Sequence, residues 1–268
     1  MGKIDKQKIA LVLSTGGARG IAHIGVIEEL EKLNYEISSI AGCSMGALVA
    51  AAYSTGKLQE LKRQLQELNN LQILRLIDFT ISGMGFIKGN RIMKKISEII
   101  PEMEIEKMPI PYTAVATNIQ KGQQVVFQRG SLHDALRASI SLPCLFTPLK
   151  KDGDYLIDGG ISCPLPLEFV NRHGGDILVA SVAYNSDSAD TNIQFFNPTK
   201  SFFINQALTI MIQNNIQSSI NYFKPNIVIR AHTNEYNILQ FNKANELISQ
   251  GVIAVQKNNE LKGLSVEI

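Results

Sequence analysis

The stretch Ser39-Ile40-Ala41-Gly42-Cys43-Ser44-Met45-Gly46-Ala47-Leu48 decides how the rest of the chain is read. A short run over 37–41, with Ile37 and Ile40, feeds Gly42-Cys43-Ser44-Met45-Gly46, and Met45, Leu48, Val49 and Ala52 then recur at helical spacing. The order is strand, sharp turn, helix. A serine at such a turn sits in a strained backbone, its hydroxyl exposed above a helix N-terminus, as a nucleophile requires. Gly42 and Gly46 fit because side chains there would collide across the turn. An ordinary strand-to-helix loop holding a serine has the same local pattern, so the neighbouring segments decide between the two.

Upstream, residues 8–14 are almost continuously apolar, as in a central parallel strand. They end in Thr15-Gly16-Gly17-Ala18-Arg19-Gly20; Val26, Ile27, Leu30 and Leu33 then mark an amphipathic helix with Glu28, Glu29, Glu31 and Lys32 on its wet side. Strand, glycine loop, helix, strand, elbow, helix is a βαβα opening, and it predicts an α/β fold of three layers, α/β/α, around a mainly parallel sheet. Three glycines in five residues before a helix present backbone N–H groups to an anion, either a nucleotide phosphate or a developing oxyanion. Dinucleotide binding calls for Gly-x-Gly-x-x-Gly and an acidic residue about twenty positions on. Here Thr15 stands at the first glycine and Glu36 precedes the next strand instead of ending it. The elbow downstream favours the oxyanion.

With 268 residues, 45% hydrophobic and 19% charged, the chain is expected to form one domain over 1–268 with a full core. A net charge of +2 argues for no nucleic acid partner. Cys43, Cys144 and Cys163 are odd in number and lack metal-ligand spacing, which predicts no metal site and a reducing, cytoplasmic compartment. The apolar run 9–13 leads into a glycine loop, not a cleavage site, and so reads as a buried strand instead of a signal peptide. Residues 201–223 lack charge but carry Asn205, Gln206, Gln213, Asn214, Asn215 and Gln217, so no transmembrane segment is expected. Any membrane contact would be peripheral, at the surface.

Leu58, Leu61, Leu65, Leu68 and Gln72 have the spacing of an amphipathic helix packed on the core. Residues 78–90 form an apolar stretch broken by Gly83, Gly85 and Gly89, with Met84, Phe86 and Ile87 among them, and suit either a flap over an acyl pocket or a buried connection. A helix over 91–100 stops at Pro101; a strand over 112–118 pairs with 124–128; a helix over 131–139 leads to a loop stiffened by Pro143 and Pro148. In Tyr155-Leu156-Ile157-Asp158-Gly159-Gly160 an aspartate ends an apolar strand. Asp-Gly is a common turn, but functional groups of α/β folds gather at the carboxyl ends of strands. Further strands are expected at 177–182 and 227–229, and helices at 201–222 and 242–257.

Gly16-Gly17-Ala18-Arg19-Gly20, Gly42-Cys43-Ser44-Met45-Gly46, the block from Arg137-Ala138-Ser139 to Pro148, and Asp158-Gly159-Gly160 together resemble the patatin-like phospholipases in order and spacing, over roughly residues 8–170. The resemblance implies a lipid acyl hydrolase needing no cofactor, with Ser44 as nucleophile, Asp158 as its partner in a two-residue dyad, and the backbone of Gly16, Gly17 and Ala18 as oxyanion hole. The N–H of Met45 is a further candidate donor. Thr15 departs from the family, which more often has glycine there; its branched side chain is expected to narrow the site.

The chemistry that follows is attack of Ser44 on the ester carbonyl of a phospholipid or lysophospholipid, through an acyl-enzyme. Arg19 is expected to fix its loop, by pairing with a carboxylate, or to sit near a phosphate. The rival is a Ser-His-acid triad, for which His173 and His232 follow the acid in sequence and His23 reads as a packed helix residue. A thioesterase or general carboxylesterase fits the same elbow, as does a non-catalytic lipid-binding regulator.

Overall fold

Alternate residues of the first strand, β1 (Gln7–Leu13), face two separate cores in the computed structural model, which describes residues 6–80, 85–143, 145–184 and 200–264. Ile9, Leu11 and Leu13 enter the larger core, Ala10 and Val12 the smaller. From β1 the chain passes through a 3-10 turn (Gly17–Ile21) into α1 (Ala22–Lys32), returns as β2 (Tyr35–Cys43) and continues as α2 (Met45–Ser54), the predicted βαβα opening. Next come α3 (Leu58–Gln66), α4 (Asn70–Leu76), α5 (Asn90–Ile99), β3 (Tyr112–Asn118), β4 (Gln123–Phe127) and α6 (Leu132–Ser139). The chain closes with β5 (Leu149–Lys151), β6 (Asp154–Asp158), β7 (Ile177–Val182), α7 (Lys200–Phe223), β8 (Ile227–Arg230), α8 (Ala244–Gln256) and α9 (Asn259–Leu264).

The sheet runs β5-β6-β3-β2-β1-β7-β8, with β4 also on β3. The five strands β3, β2, β1, β7 and β8 are parallel; β4 and β6 run against them, and β5, antiparallel to β6, runs with them again. The outer layers are unequal: α1, α2, α3, α5, α6 and α8 feed the larger core, and α7 with residues 165–170 the smaller. Neighbouring strands leave β1 in opposite directions, to β2 and to β7, so the carboxyl ends of β1 and β2 border the crevice where such sheets bind ligands.

Two features depart from the sequence pattern. The stripe over 58–72 is two helices, because Asn69 caps α4: its side chain accepts the Gln72 N–H and the Gln72 side chain accepts the Asn69 N–H, both at 2.9 Å. The second is the close approach of α1 and α8. A Cβ on Gly25 would lie 2.0 Å from the Ile248 carbonyl oxygen and one on Gly251 1.9 Å from that of Ala22, so glycine is what lets these backbones touch. Among the described residues no helix is long and apolar enough to cross a membrane.

Candidate active site

Ser44 joins β2 to α2 at φ 55°, ψ −122°, a conformation that a residue with a side chain adopts only when its surroundings impose it. Gly42 and Gly46 impose it. A Cβ on Gly42 would lie 2.4 Å from the Gly46 carbonyl, and one on Gly46 2.5 Å from the Ser14 carbonyl oxygen, so the turn is closed on itself and pressed against the end of β1. Ser139, at the end of α6, clamps it: its hydroxyl accepts the Ser44 N–H at 2.8 Å and donates to the Val115 carbonyl at 2.7 Å. The sequence marked Ser139 only as part of a motif. Ser139→Ala should lower kcat by about 10- to 100-fold with little change in KM, because the buried N–H loses its acceptor and Ser44 its fixed position. Steady-state kinetics beside a melting curve check this; an unchanged kcat would reduce Ser139 to packing.

The Ser44 hydroxyl donates to Asp158 Oδ2 at 2.6 Å. Asp158 Oδ1 accepts the Gly160 N–H at 2.7 Å and faces the Cys43 thiol at 3.8 Å. Burial raises the Asp158 carboxyl from its ordinary 3.8 to about 6, while the bonds from Ser44, Gly160 and Cys43 pull it back down. It is therefore largely ionised at neutral pH and a far better base than a solvated aspartate.

Asp158 reaches this place by a different route from the one the sequence suggested. Its strand is antiparallel to β3, with Asp158 opposite Ala116, so its carboxyl end points back into the sheet. β3 runs three residues beyond Val115, the partner of the last β2 residue Cys43, and β6 descends along that extension until Asp158 is level with the elbow. Gly159 lets the chain turn there, since a Cβ would lie 2.3 Å from the Val115 carbonyl oxygen.

In the glycine loop Gly17 has φ +54° and borders a cavity together with Ser44 and Met45. The N–H groups of Gly17 and Met45 occupy first positions of helical turns, where no acceptor exists within the turn. Ala18 is different: its N–H donates to the Ile238 carbonyl at 2.8 Å, so this expected oxyanion donor is already spent. Among the described residues Arg19 pairs with no carboxylate. Its guanidinium donates to the Tyr236 carbonyl at 2.6 Å and lies 5.0 Å from the Tyr184 ring, tying residues 234–241 to the loop. Gly20 admits Met45, whose Cγ would lie 2.7 Å from a Cβ there. Thr15 is not among the residues lining the cavity; its side chain packs toward Gly160.

The cavity, about 270 Å³, lies between α2, α3, α4 and α5. Leu61 and Leu65 of α3 belong to the larger core as expected and also line the cavity, as do Ile73 and Leu76, Ile96 and Ile99, and from the far end of the chain Ile238 and Phe241. Besides Ser44, only Gln64 and Lys95 among its described lining residues have polar side chains. Ser44 itself is buried, its hydroxyl shielded from bulk water instead of exposed. Of 78–90, Ile87 lines the cavity while Phe79 and Phe86 point outward; Met84, like Cys144, lies outside the described residues. Arg137 holds this wall, its guanidinium donating to the carbonyls of Lys88 (2.7 Å) and Thr147 (2.9 Å) and to the Ser141 hydroxyl.

Among the described residues no histidine bonds to Ser44 or Asp158. His23 is buried beneath the glycine loop, bonded to Ser181 (2.8 Å) and the Ser14 carbonyl (2.9 Å), and burial lowers its pKa to about 4. His133 bonds to the Ile100 carbonyl. His173 precedes β7, at the opposite end of the sheet from Ser44, while His232 is exposed after β8.

A family model described as patatin-like phospholipase matches residues 11–170. An uncharacterized NTE family protein of Mycobacterium tuberculosis is 43% identical over 185 residues, 69% of this chain and 51% of that protein. The chain thus spans about half the length of that relative. Lysophospholipase NTE1 of Cryptococcus neoformans is 31% identical over 76% of this chain and 13% of its own. Human patatin-like phospholipase domain-containing protein 6 is 30% identical over 68% and 14%. Among solved structures, VipD from Legionella pneumophila superposes with a TM-score of 0.50 at 15% identity, covering 97% of this chain and 67% of that one, a likeness of fold.

Proposed function

The chain belongs to the patatin-like phospholipase family, and from that premise we propose that it is a lipid acyl hydrolase in which Ser44 is the nucleophile and Asp158 its general base. The observation that carries this reading is the 2.6 Å bond from the Ser44 hydroxyl to a buried carboxylate, beside an apolar cavity. Asp158 takes the Ser44 proton as Oγ attacks the ester carbonyl, and the N–H groups of Gly17 and Met45 receive the oxyanion. Collapse expels the alcohol, which recovers the proton from Asp158; water, deprotonated by the same carboxylate, then releases the fatty acid.

A cavity of about 270 Å³ falls just below the usual range of ligand pockets, about 300–1,000 Å³, and suits one acyl chain better than two. The substrate class proposed is therefore esters of single-chain lipids, lysophospholipids foremost. The buried free thiols Cys43 and Cys163 accord with a reducing, cytoplasmic location.

A panel of lysophospholipids, diacyl phospholipids, acylglycerols and acyl-CoA tests this. Lysophospholipids should be cleaved fastest, and Leu65→Phe, which fills the cavity, should move the optimum to shorter chains by about tenfold in relative kcat/KM. Preference for acyl-CoA, or a chain-length profile that Leu65→Phe leaves alone, would overturn the substrate assignment.

A further inference from the structure

Among the described residues eleven large apolar side chains are exposed, and five of them, Leu71, Leu74, Phe79, Phe86 and Leu239, sit on or next to the segments that line the cavity, though of the five only Leu239 reaches into it. On α4 Ile73 and Leu76 line the cavity while Leu71 and Leu74, each 57% exposed, lie outside the lining. Ile87 lines the cavity, while Phe86 beside it is 67% exposed and Phe79, bridged to Ile87, is 72% exposed. Leu239 belongs to the lining and is half exposed. The wall is thus apolar on both sides, and no residue of α4 is buried.

The same stretch concentrates positive charge. Residues 69–98 hold Arg75, Lys88, Arg91, Lys94 and Lys95 against Asp78 and Glu98, the latter paired with Lys95 at 3.1 Å, in a chain whose net charge is only +2. Asp78 accepts the N–H groups of Gly89 and Asn90, both at 2.8 Å, and so caps α5. Lys88 and Lys94 border an open groove of about 670 Å³ whose acidic member, Asp134, is engaged by Lys151 at 2.6 Å. Cations beside apolar tips are the pattern that binds a bilayer carrying anionic phospholipid, phosphates meeting the former and acyl chains the latter.

We propose that the outer face of α4 and the segments around Phe79 and Phe86 dock the protein on an anionic phospholipid surface, with Lys88, Arg91 and Lys94 facing the phosphates. Docked this way, the cavity wall rests on the bilayer, and a lipid chain passes into the cavity without being stranded in water. The inference extends the lipid hydrolase reading but is measured without turnover.

The test is co-sedimentation with phosphatidylcholine vesicles, with and without about one third phosphatidylglycerol, at low and high salt. Wild type should bind the mixed vesicles at least tenfold more tightly than neutral ones and lose this preference in high salt. Phe79→Ser with Phe86→Ser, and separately Lys88→Glu with Lys94→Glu, should each weaken binding about tenfold while melting normally and keeping wild-type hydrolysis of a soluble short-chain ester. Binding that neither pair alters, absence of binding to both vesicles, or a dimer in sedimentation velocity that dissociates in Leu71→Ser with Leu74→Ser would overturn the proposal. Wild type that docks but cleaves no ester would instead count against the hydrolase reading.

Discussion

Asp158→Asn should abolish most turnover and yet give a protein that melts at a higher temperature at pH 7. An amide cannot take the Ser44 proton, and loss of a positioned general base costs about 10²–10⁴ in kcat. The stability gain follows from linkage. The carboxyl titrates at about 6 in the folded protein and 3.8 in the unfolded chain, so the native state holds the proton more tightly. Stability therefore falls as pH rises from about 4 to 6, and the full cost, on the order of 2–3 kcal/mol, is present above that window. Asparagine removes the buried charge while its carbonyl can still accept the Gly160 N–H. His23 works in the opposite sense. Its folded pKa of about 4 lies below the unfolded 6.5, so acidification favours the unfolded chain, and stability falls as pH drops from 6.5 to 4. The two trends oppose each other in wild type; in Asp158→Asn the histidine acts alone. The variant's advantage in Tm should thus be largest at pH 7 and vanish near pH 4. A variant melting lower than wild type at pH 7 would mean that the carboxylate is a structural asset.

Ser44→Ala should lower kcat by on the order of 10⁵ while leaving the fold and lipid binding in place. Nothing else described beside the cavity can replace it, since its polar side chains are otherwise Gln64 and Lys95. The loss also acts on Asp158: the Ser44 hydrogen bond is one of the forces holding that carboxyl down, so without it the proton should be bound still more tightly. A fluorophosphonate probe should add one phosphonyl group to wild type, on the peptide containing Ser44, and none to Ser44→Ala. Equal labelling of both would place the nucleophile elsewhere.

The elbow was legible because its demands are local: glycines two residues either side of a serine, a strand before and a helix after. The parallel core followed from continuous apolar runs for the same reason. Asp158 was found by a rule that does not apply to it, since β6 is antiparallel and is carried to the elbow by the overhang of β3; strand direction is not written in the residues of one strand. Ala18 shows the other limit. A sequence counts N–H groups but not their acceptors, and Ile238 lies 220 positions away. Periodicity marked the stripe of Leu61 and Leu65 as apolar without telling a core from a cavity, and Asn69, whose cap divides the helix, went unread although Gln72 stands three residues on.

The most direct measurement of the direct Ser44–Asp158 pairing is the pH dependence of the rate at which fluorophosphonate labels Ser44, in wild type and in His23→Asn, His133→Ala, His173→Ala and His232→Ala. A single ionisation near pH 6, with faster labelling above it, should persist in every histidine variant that folds and be lost in Asp158→Asn. An ionisation that survives Asp158→Asn but vanishes with one histidine would contradict the dyad and make that histidine the base.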